Sequence, residues 1–193
     1  MHIGRHIVQE LVLELGDPVV ERWDVPVAEA EFRTVEKHLD SGRSHDVSLF
    51  IRKDDDVAVV IAQGRGYPEG AYLIPSGGIH PEESFLDGAA REAFAQTGLE
   101  IRVEDYLLQI HASYTWDGGK ASWTTHVMQA RSEGGAIRAS DGSEVESARW
   151  INLSELGSKV NPILLDSGSG ELRYRARIHE RLVELTSKDS ISA

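Results

Sequence analysis

The stretch that decides the fold is "PSGGIHPEESFLDGAAREAFAQTGL", residues 75–99, in which a glycine-rich loop is followed by a segment of helical character. Ser84 is a good N-cap residue, and Asp87, three positions later, resembles the acidic partner of a capping box. Gly98 stands where a glycine in the left-handed conformation ends many helices. The spacing therefore predicts a helix from about Ser84 to Thr97.

The two faces of this predicted helix differ in chemistry. One face carries a small, mostly apolar stripe suited to packing on a sheet, formed by Leu86, Ala90, Ala93 and Thr97. Glu92, Ala95 and Gln96 share another face, because residues three and four apart are neighbours on a helix surface. The second face is where we expect the functional side chains.

Composition limits the classes of protein to which the chain can belong. With 193 residues it predicts about one domain with some extension, and 40% hydrophobic and 27% charged residues are typical of a globular protein. The net charge of the chain is −12 and no basic stripe offsets it, so a nucleic-acid polymer is not an expected partner. The chain has no cysteine, which excludes disulfides and thiol catalysis and fits a reducing cytoplasm.

The rest of the chain predicts a mixed α and β protein built around one central sheet. Residues 1–45 are expected to form an N-terminal extension with two amphipathic helices and a short strand, and residues 46–193 the main domain, which ends in a helix from about Leu172. "DVSLFI" and "VAVVIA" read as strands joined by the turn "RKDDD". The longest apolar run, residues 57–62, is too short to span a bilayer, so no membrane partner is expected.

The segment from residue 75 to residue 99 resembles the Nudix box. The matching positions are Gly77, Glu83, Arg91, Glu92, Gly98 and Leu99, at the spacings of the family pattern. The resemblance implies an α/β fold, an α/β/α sandwich around a central mixed sheet. It also implies hydrolysis of the pyrophosphate in nucleoside diphosphates linked to another moiety, with Mg²⁺ or Mn²⁺ as cofactor. The expected ligand is a small phosphorylated nucleotide-type molecule.

The resemblance also assigns roles to individual residues. It implies that Glu92 and the carbonyl of Gly77 are metal ligands, and that Glu92 is catalytic. Glu83, Arg91 and Gly98, with Gly77, are the structural residues of the box, and Arg91 is expected to pair with Glu83 and fix the loop against the helix.

The chain departs from the family pattern at Ala95 and Gln96, where glutamates are usual. Ala95 offers no ligand atom, and Gln96 offers only a neutral amide, which could position water or substrate but could not act as a base. Only Glu92 survives of three expected carboxylates on this face, so the sequence predicts weakened catalysis.

Other acids could compensate for this loss. Glu82, Glu83 and Asp87 lie near the box, and Glu144 and Glu146 precede the "ARWINL" strand. Some Nudix enzymes place an additional catalytic glutamate in that region, which makes Glu144 a third catalytic candidate. Solvated loop acids are the simpler interpretation of Glu144 and Glu146.

Three further groups of residues were weighed as ligand contacts. Arg65 and Tyr67 in "QGRGYPEG" are substrate-binding candidates, and a glycine-rich surface loop is the alternative. His126 could face the cleft, although a histidine satisfied within its strand is the simpler interpretation. Trp123 is expected to serve packing.

Two hypotheses follow from the sequence. The first is a Nudix hydrolase by descent, with activity weakened by the two missing glutamates. The second is a non-catalytic Nudix-fold module that binds a nucleotide and reports it to a partner, for which a homodimer is a compatible state.

Overall fold

The computed structural model describes residues 3–62, 64, 66–139 and 144–189, with side chains described to residue 186. The sheet strands are β1 (Val19–Pro26), β2 (His45–Lys53), β3 (Asp56–Ala62), β4 (Ser76–Gly77), β5 (Glu100–Trp116), β6 (Gly119–Gly134) and β7 (Val145–Asn152). The helices are α1 (Arg5–Leu15), α2 (Glu29–Asp40), α3 (Phe85–Thr97), α4 (Leu153–Glu155), a π-helical turn (Leu156–Val160), α5 (Asn161–Asp166) and α6 (Gly170–Asp189).

The strands form one mixed sheet in the order β1-β5-β6-β2-β3-β7, with β4 added beside β2. The pairs β1–β5 and β2–β6 are parallel, and the other pairs are antiparallel. Apolar side chains form two separate clusters, one containing residues of α2, α5 and α6 and the other residues of α1 and α3. The fold is therefore the expected α/β/α sandwich around a central mixed sheet.

The N-terminal segment, described from residue 3, contributes a strand to this sheet. Strand β1 pairs along its whole length with β5, from Val19 opposite Leu108 to Pro26 opposite Thr115. Trp23 on β1 and Phe32 on α2 are both buried in the same cluster as the core of β5. The N-terminal segment thus supplies an edge strand and one helical wall of the molecule.

The box loop enters the sheet through a gap between β2 and β3. These two strands pair only next to their turn, at Arg52–Val57 and Lys53–Asp56. Beyond that point the segment 73–77 lies between them: Ser76 and Gly77 pair with β2, and Leu73 bridges to Val60 of β3. The first glycine of the box is thereby fixed to the centre of the sheet.

Helix α3 begins and ends as predicted. The Ser84 hydroxyl accepts a hydrogen bond from the Asp87 amide at 3.1 Å, and Gly98 ends the helix with a left-handed φ of 69°. Two residues of the predicted packing stripe, Leu86 and Ala90, are only half-buried, so the prediction was wrong there by one position. The large side chain of Phe85 inserts into the core instead and sets the buried row, which is Phe85, Ala89, Ala93 and Thr97.

Two histidines lie in the core as neutral, hydrogen-bonded groups. His126 stacks on His45, with their nitrogens 3.0 Å apart, and its Nδ1 lies 2.5 Å from the Tyr106 hydroxyl, so it is satisfied within the sheet. His179 accepts from the Ile74 amide and lies 2.9 Å from the Asn161 side-chain oxygen. Burial lowers the pKa of His126 and of His179 to about 3.

Within the described part of the chain, we find no helix that is both long enough and apolar enough to cross a membrane.

The buried histidines predict an acid-sensitive fold. Each of these histidines has a pKa of about 3 in the folded state and about 6.5 in the unfolded state. The unfolded state therefore takes up protons at a higher pH than the folded state does. The contribution of each histidine to stability is complete above about pH 6.5 and is lost as the pH falls. Between pH 6.5 and 5 the free energy of unfolding should fall with a slope approaching about 1.4 kcal/mol per pH unit for each histidine.

Urea unfolding at pH 7, 6 and 5 checks this prediction. His179→Gln should reduce the slope, whatever it does to the absolute stability, while His80→Gln, a change at an exposed loop position, should leave it as in the unmodified protein. A slope that His179→Gln does not change would contradict the assignment.

Candidate functional site

The guanidinium of Arg91 joins the box loop to helix α3. Its Nε and Nη2 donate to the two carboxylate oxygens of Glu83 at 3.0 and 2.7 Å, so the predicted ion pair is present. Nη2 also donates to the Gly78 carbonyl at 2.8 Å, and Nη1 donates to Glu92 at 2.9 Å. Hydrogen bonds from Arg91 lower the pKa of Glu83 to about 2.

Two glycines allow the carboxylates to approach the backbone. A Cβ atom at Gly77 would lie 2.1 Å from the carboxylate carbon of Glu92, and one at Gly88 would lie 2.7 Å from an oxygen of Glu83. Neither position has room for a larger side chain unless a carboxylate moves. Gly77 is therefore required by the contact between the loop and Glu92, apart from any role of its carbonyl.

Both oxygens of Glu92 are engaged by neighbouring protein groups. Oε1 accepts from Arg91 at 2.9 Å, and Oε2 accepts from the Gln96 amide nitrogen at 3.0 Å. The Glu92 side chain is 17% exposed, so these two contacts are partly shielded from water. A bound cation would have to compete with them for the carboxylate.

Gln96 forms a two-point pair with the backbone of Ser76. Its amide nitrogen donates to the Ser76 carbonyl at 2.7 Å, and its oxygen accepts from the Ser76 amide at 3.2 Å. An ionised glutamate could make only the second of these bonds, because it has no donor. The glutamine therefore ties α3 to β4, and its amide is occupied by the protein itself.

The described residues offer few protein oxygens for a divalent cation. Nowhere in the described ranges do three or more His, Asp or Glu side chains come together in a group that could hold a metal ion. Glu83 is held by Arg91, and Asp87 accepts from the Ser84 hydroxyl at 2.7 Å. Glu92 and the Gly77 carbonyl would therefore hold Mg²⁺ or Mn²⁺ with fewer protein oxygens than the three-carboxylate face of the family pattern, and waters and phosphate oxygens would have to supply the other ligands.

A cleft of about 1040 Å³ opens beside this network. Of the predicted site residues, the structure brings four to its walls: Gly77, Glu92, Gln96 and Glu144. Helix α2 forms a facing wall through Thr34, Val35 and His38, and α6 contributes Glu171 and Arg175. Sequence reasoning missed these helical contributions, because no motif marks them.

The two predicted substrate-binding residues are not brought to the cleft by what the structure describes. Tyr67 packs against the apolar cluster of β1, β5 and α6, and it is not among the residues that line the cleft. Arg65 lies outside the described residues.

A buried polar network forms part of the cleft wall. One oxygen of Asp46 accepts from the Trp123 indole at 2.9 Å and from the Thr125 hydroxyl at 2.5 Å. Its other oxygen lies 3.4 Å from Arg175, while the hydroxyl of Tyr174 donates to Thr125 at 2.7 Å. Trp123 is only 8% exposed, and it also lines the cleft.

The comparisons with known proteins agree with this geometry. The family model of the NUDIX domain matches residues 42–172, which include the box with its loop and the strands around the box. The chain belongs to the Nudix family. Its sequence is 25% identical over 112 residues to the human 8-oxo-dGDP phosphatase NUDT18, a match that covers 57% of this chain and 32% of that protein. This Nudix chain thus spans about a third of the length of that relative.

One solved structure shows the same fold, and a second matches at a lower TM-score. The structure of a UDP-X diphosphatase superposes with a TM-score of 0.52 at 16% identity, covering 96% of this Nudix chain and 79% of the other. The Mutator MutT protein from Bacillus halodurans matches with a TM-score of 0.48 at 19% identity, covering 59% and 71% of the two chains.

The contact between Gly77 and Glu92 predicts a costly substitution. Gly77→Ala should lower the free energy of unfolding by about 1–3 kcal/mol, because the added methyl group overlaps the Glu92 carboxylate and displaces it from its hydrogen bonds with Arg91 and Gln96. Urea denaturation measures this loss. Gly157→Ala is the matched control, since a Cβ there meets nothing within 4 Å. Equal stability of the Gly77 variant and the unmodified protein would contradict the described packing.

Proposed function

We propose that this Nudix protein binds a small phosphorylated ligand of the nucleoside-diphosphate type in the cleft, and that its cation-dependent hydrolysis of the pyrophosphate bond is strongly weakened. Family membership and the cleft beside the box support the first part. One observation carries the second: Glu92 is the one carboxylate left on the active face of α3, and both of its oxygens accept hydrogen bonds from Arg91 and Gln96.

The size of the cleft supports a nucleotide-type ligand. Pockets for cofactors and other small molecules in proteins are about 300–1,000 Å³, so a volume of about 1040 Å³ has room for a nucleoside diphosphate with a further moiety. The relatives named above act, by their names, on an oxidised deoxyguanosine diphosphate and on UDP derivatives. These are the compound classes with which we would begin.

The expected loss of rate has a physical basis. In metal-assisted hydrolysis the cation neutralises phosphate oxygens and activates water, and carboxylates of the protein hold it in place. Removing one well-placed acid/base group lowers the rate by about 10²–10⁴, and Ala95 and Gln96 replace two acids. Phosphate binding does not depend on those acids, so affinity should survive better than turnover.

A second candidate function is residual hydrolysis that uses a substitute acid. Glu144 favours it, because this residue lines the same cleft as Glu92 and is exposed to solvent. In that case Glu144→Gln would abolish whatever turnover the unmodified protein has. A purely binding role predicts no turnover to lose.

A restoration experiment tests the proposal. The purified protein should show weak or no release of products from 8-oxo-dGDP, ADP-ribose, UDP-glucose or nucleoside triphosphates with Mg²⁺ or Mn²⁺. Ala95→Glu together with Gln96→Glu should raise turnover by about 100-fold or more. Ala95→Glu alone is informative, since it adds an acid while keeping the bond between Gln96 and Ser76.

The control adds Glu92→Gln to the double replacement and should remove the gain. Brisk turnover by the unmodified protein, unchanged by the double replacement, would show that the site is not impaired. The absence of binding to every compound, tested by thermal shift with and without cation, would overturn the ligand assignment.

A further inference from the structure

Arg43 is a fixed arginine on the cleft wall beside the box loop. Its Nε donates to the His45 carbonyl at 3.3 Å, and its guanidinium carbon lies 5.6 Å from the centre of the Trp123 ring. A Cβ at Gly78 would lie 2.9 Å from the same guanidinium carbon. The side chain is therefore held in one place by a carbonyl, an aromatic face and a glycine.

The charge of Arg43 is not neutralised by the described residues. The other two arginines of this region have carboxylate partners: Arg91 pairs with Glu83 and Glu92, and Arg175 pairs with Asp46. In the part of the chain that the structure describes, Arg43 has no ion pair, and its hydrogen bond from Nε leaves the two terminal nitrogens without an acceptor. Those nitrogens are the ones that can form a fork with an anion.

Of the five described acids that line the cleft, Glu144 and Glu171 form no ion pair with Arg43, and the other three are engaged by other groups. Glu31 accepts hydrogen bonds from Ser169, Gly170 and Glu171 at the start of α6. Asp46 is taken by Arg175, Trp123 and Thr125, and Glu92 by Arg91 and Gln96, as described above. The positive charge of Arg43 is thus available to a ligand, although the whole chain is acidic.

We propose that Arg43 binds a phosphate group of the ligand directly, without a bridging divalent cation. Its guanidinium lies against Gly78, the residue after Gly77, and so borders the loop where a pyrophosphate would meet the box. Arginine suits this task because its planar fork matches two phosphate oxygens and its charge persists at any ordinary pH. The inference rests on the proposed function, since it names how the same cleft holds its ligand.

Isothermal titration in EDTA tests this assignment, with ADP-ribose and UDP-glucose as probes and inorganic pyrophosphate as the minimal one. At least one probe should bind, and Arg43→Gln should weaken that binding at least tenfold. Arg43→Lys keeps the charge but loses the fork, so its affinity for the probe should lie between those of the unmodified protein and Arg43→Gln. Arg131→Gln is the matched control, because this arginine is 61% exposed, pairs with Glu104 and does not line the cleft.

A second measurement covers the case in which the Arg43 variants fold poorly. The affinity of the unmodified protein in EDTA should fall as KCl is raised, because the proposed contact is between charges and is screened by salt.

Three results would overturn the inference. Binding that appears only when Mg²⁺ is added, an affinity that is unaffected by Arg43→Gln, or an affinity that is insensitive to salt would each leave the proposed function standing and remove the role of Arg43. Failure of every probe to bind, with or without Mg²⁺, would overturn the proposed function and this inference together.

Discussion

The guanidinium of Arg91 is the contact on which the box depends. The Arg91 side chain donates to Glu83, to the Gly78 carbonyl and to Glu92, so one guanidinium joins the loop to the helix. Positions 77 and 88 hold glycine, and the carboxylates of Glu92 and Glu83 lie against their backbones. The arrangement shows that the shape of this loop and helix rests on Arg91 and the glycines.

The side chain of Gln96 joins helix α3 to the loop through hydrogen bonds and carries no charge. Three carboxylates on one helical face repel one another unless a cation lies among them, whereas Glu92 beside Gln96 needs none. The amide binds both backbone groups of Ser76 and one oxygen of Glu92. Loop and helix are thus joined at this point by hydrogen bonds from one amide side chain.

Local patterns predicted the parts of the structure that local forces determine. The cap at Ser84, the end at Gly98 and the pairing of Arg91 with Glu83 follow from spacing within one loop and one helix. The buried polar network of the cleft wall could not be predicted, because Asp46 and Arg175 meet only in the folded chain, 129 positions apart in sequence. The bonds between Gln96 and Ser76 could not be predicted either, because these residues are 20 positions apart and no motif relates them.

The parallel pairing of β1 with β5 has a consequence for biosynthesis. Val19 needs Leu108 as its partner, and Pro26 needs Thr115, so the strand made first waits for one made 89 residues later (108 − 19). At a synthesis rate of roughly 5–20 residues per second, that interval is about 4–18 s on the ribosome. Throughout it Trp23 has no core to enter, and an open strand edge is exposed to other nascent chains. Chaperones that hold emerging polypeptides would have their greatest effect on this segment.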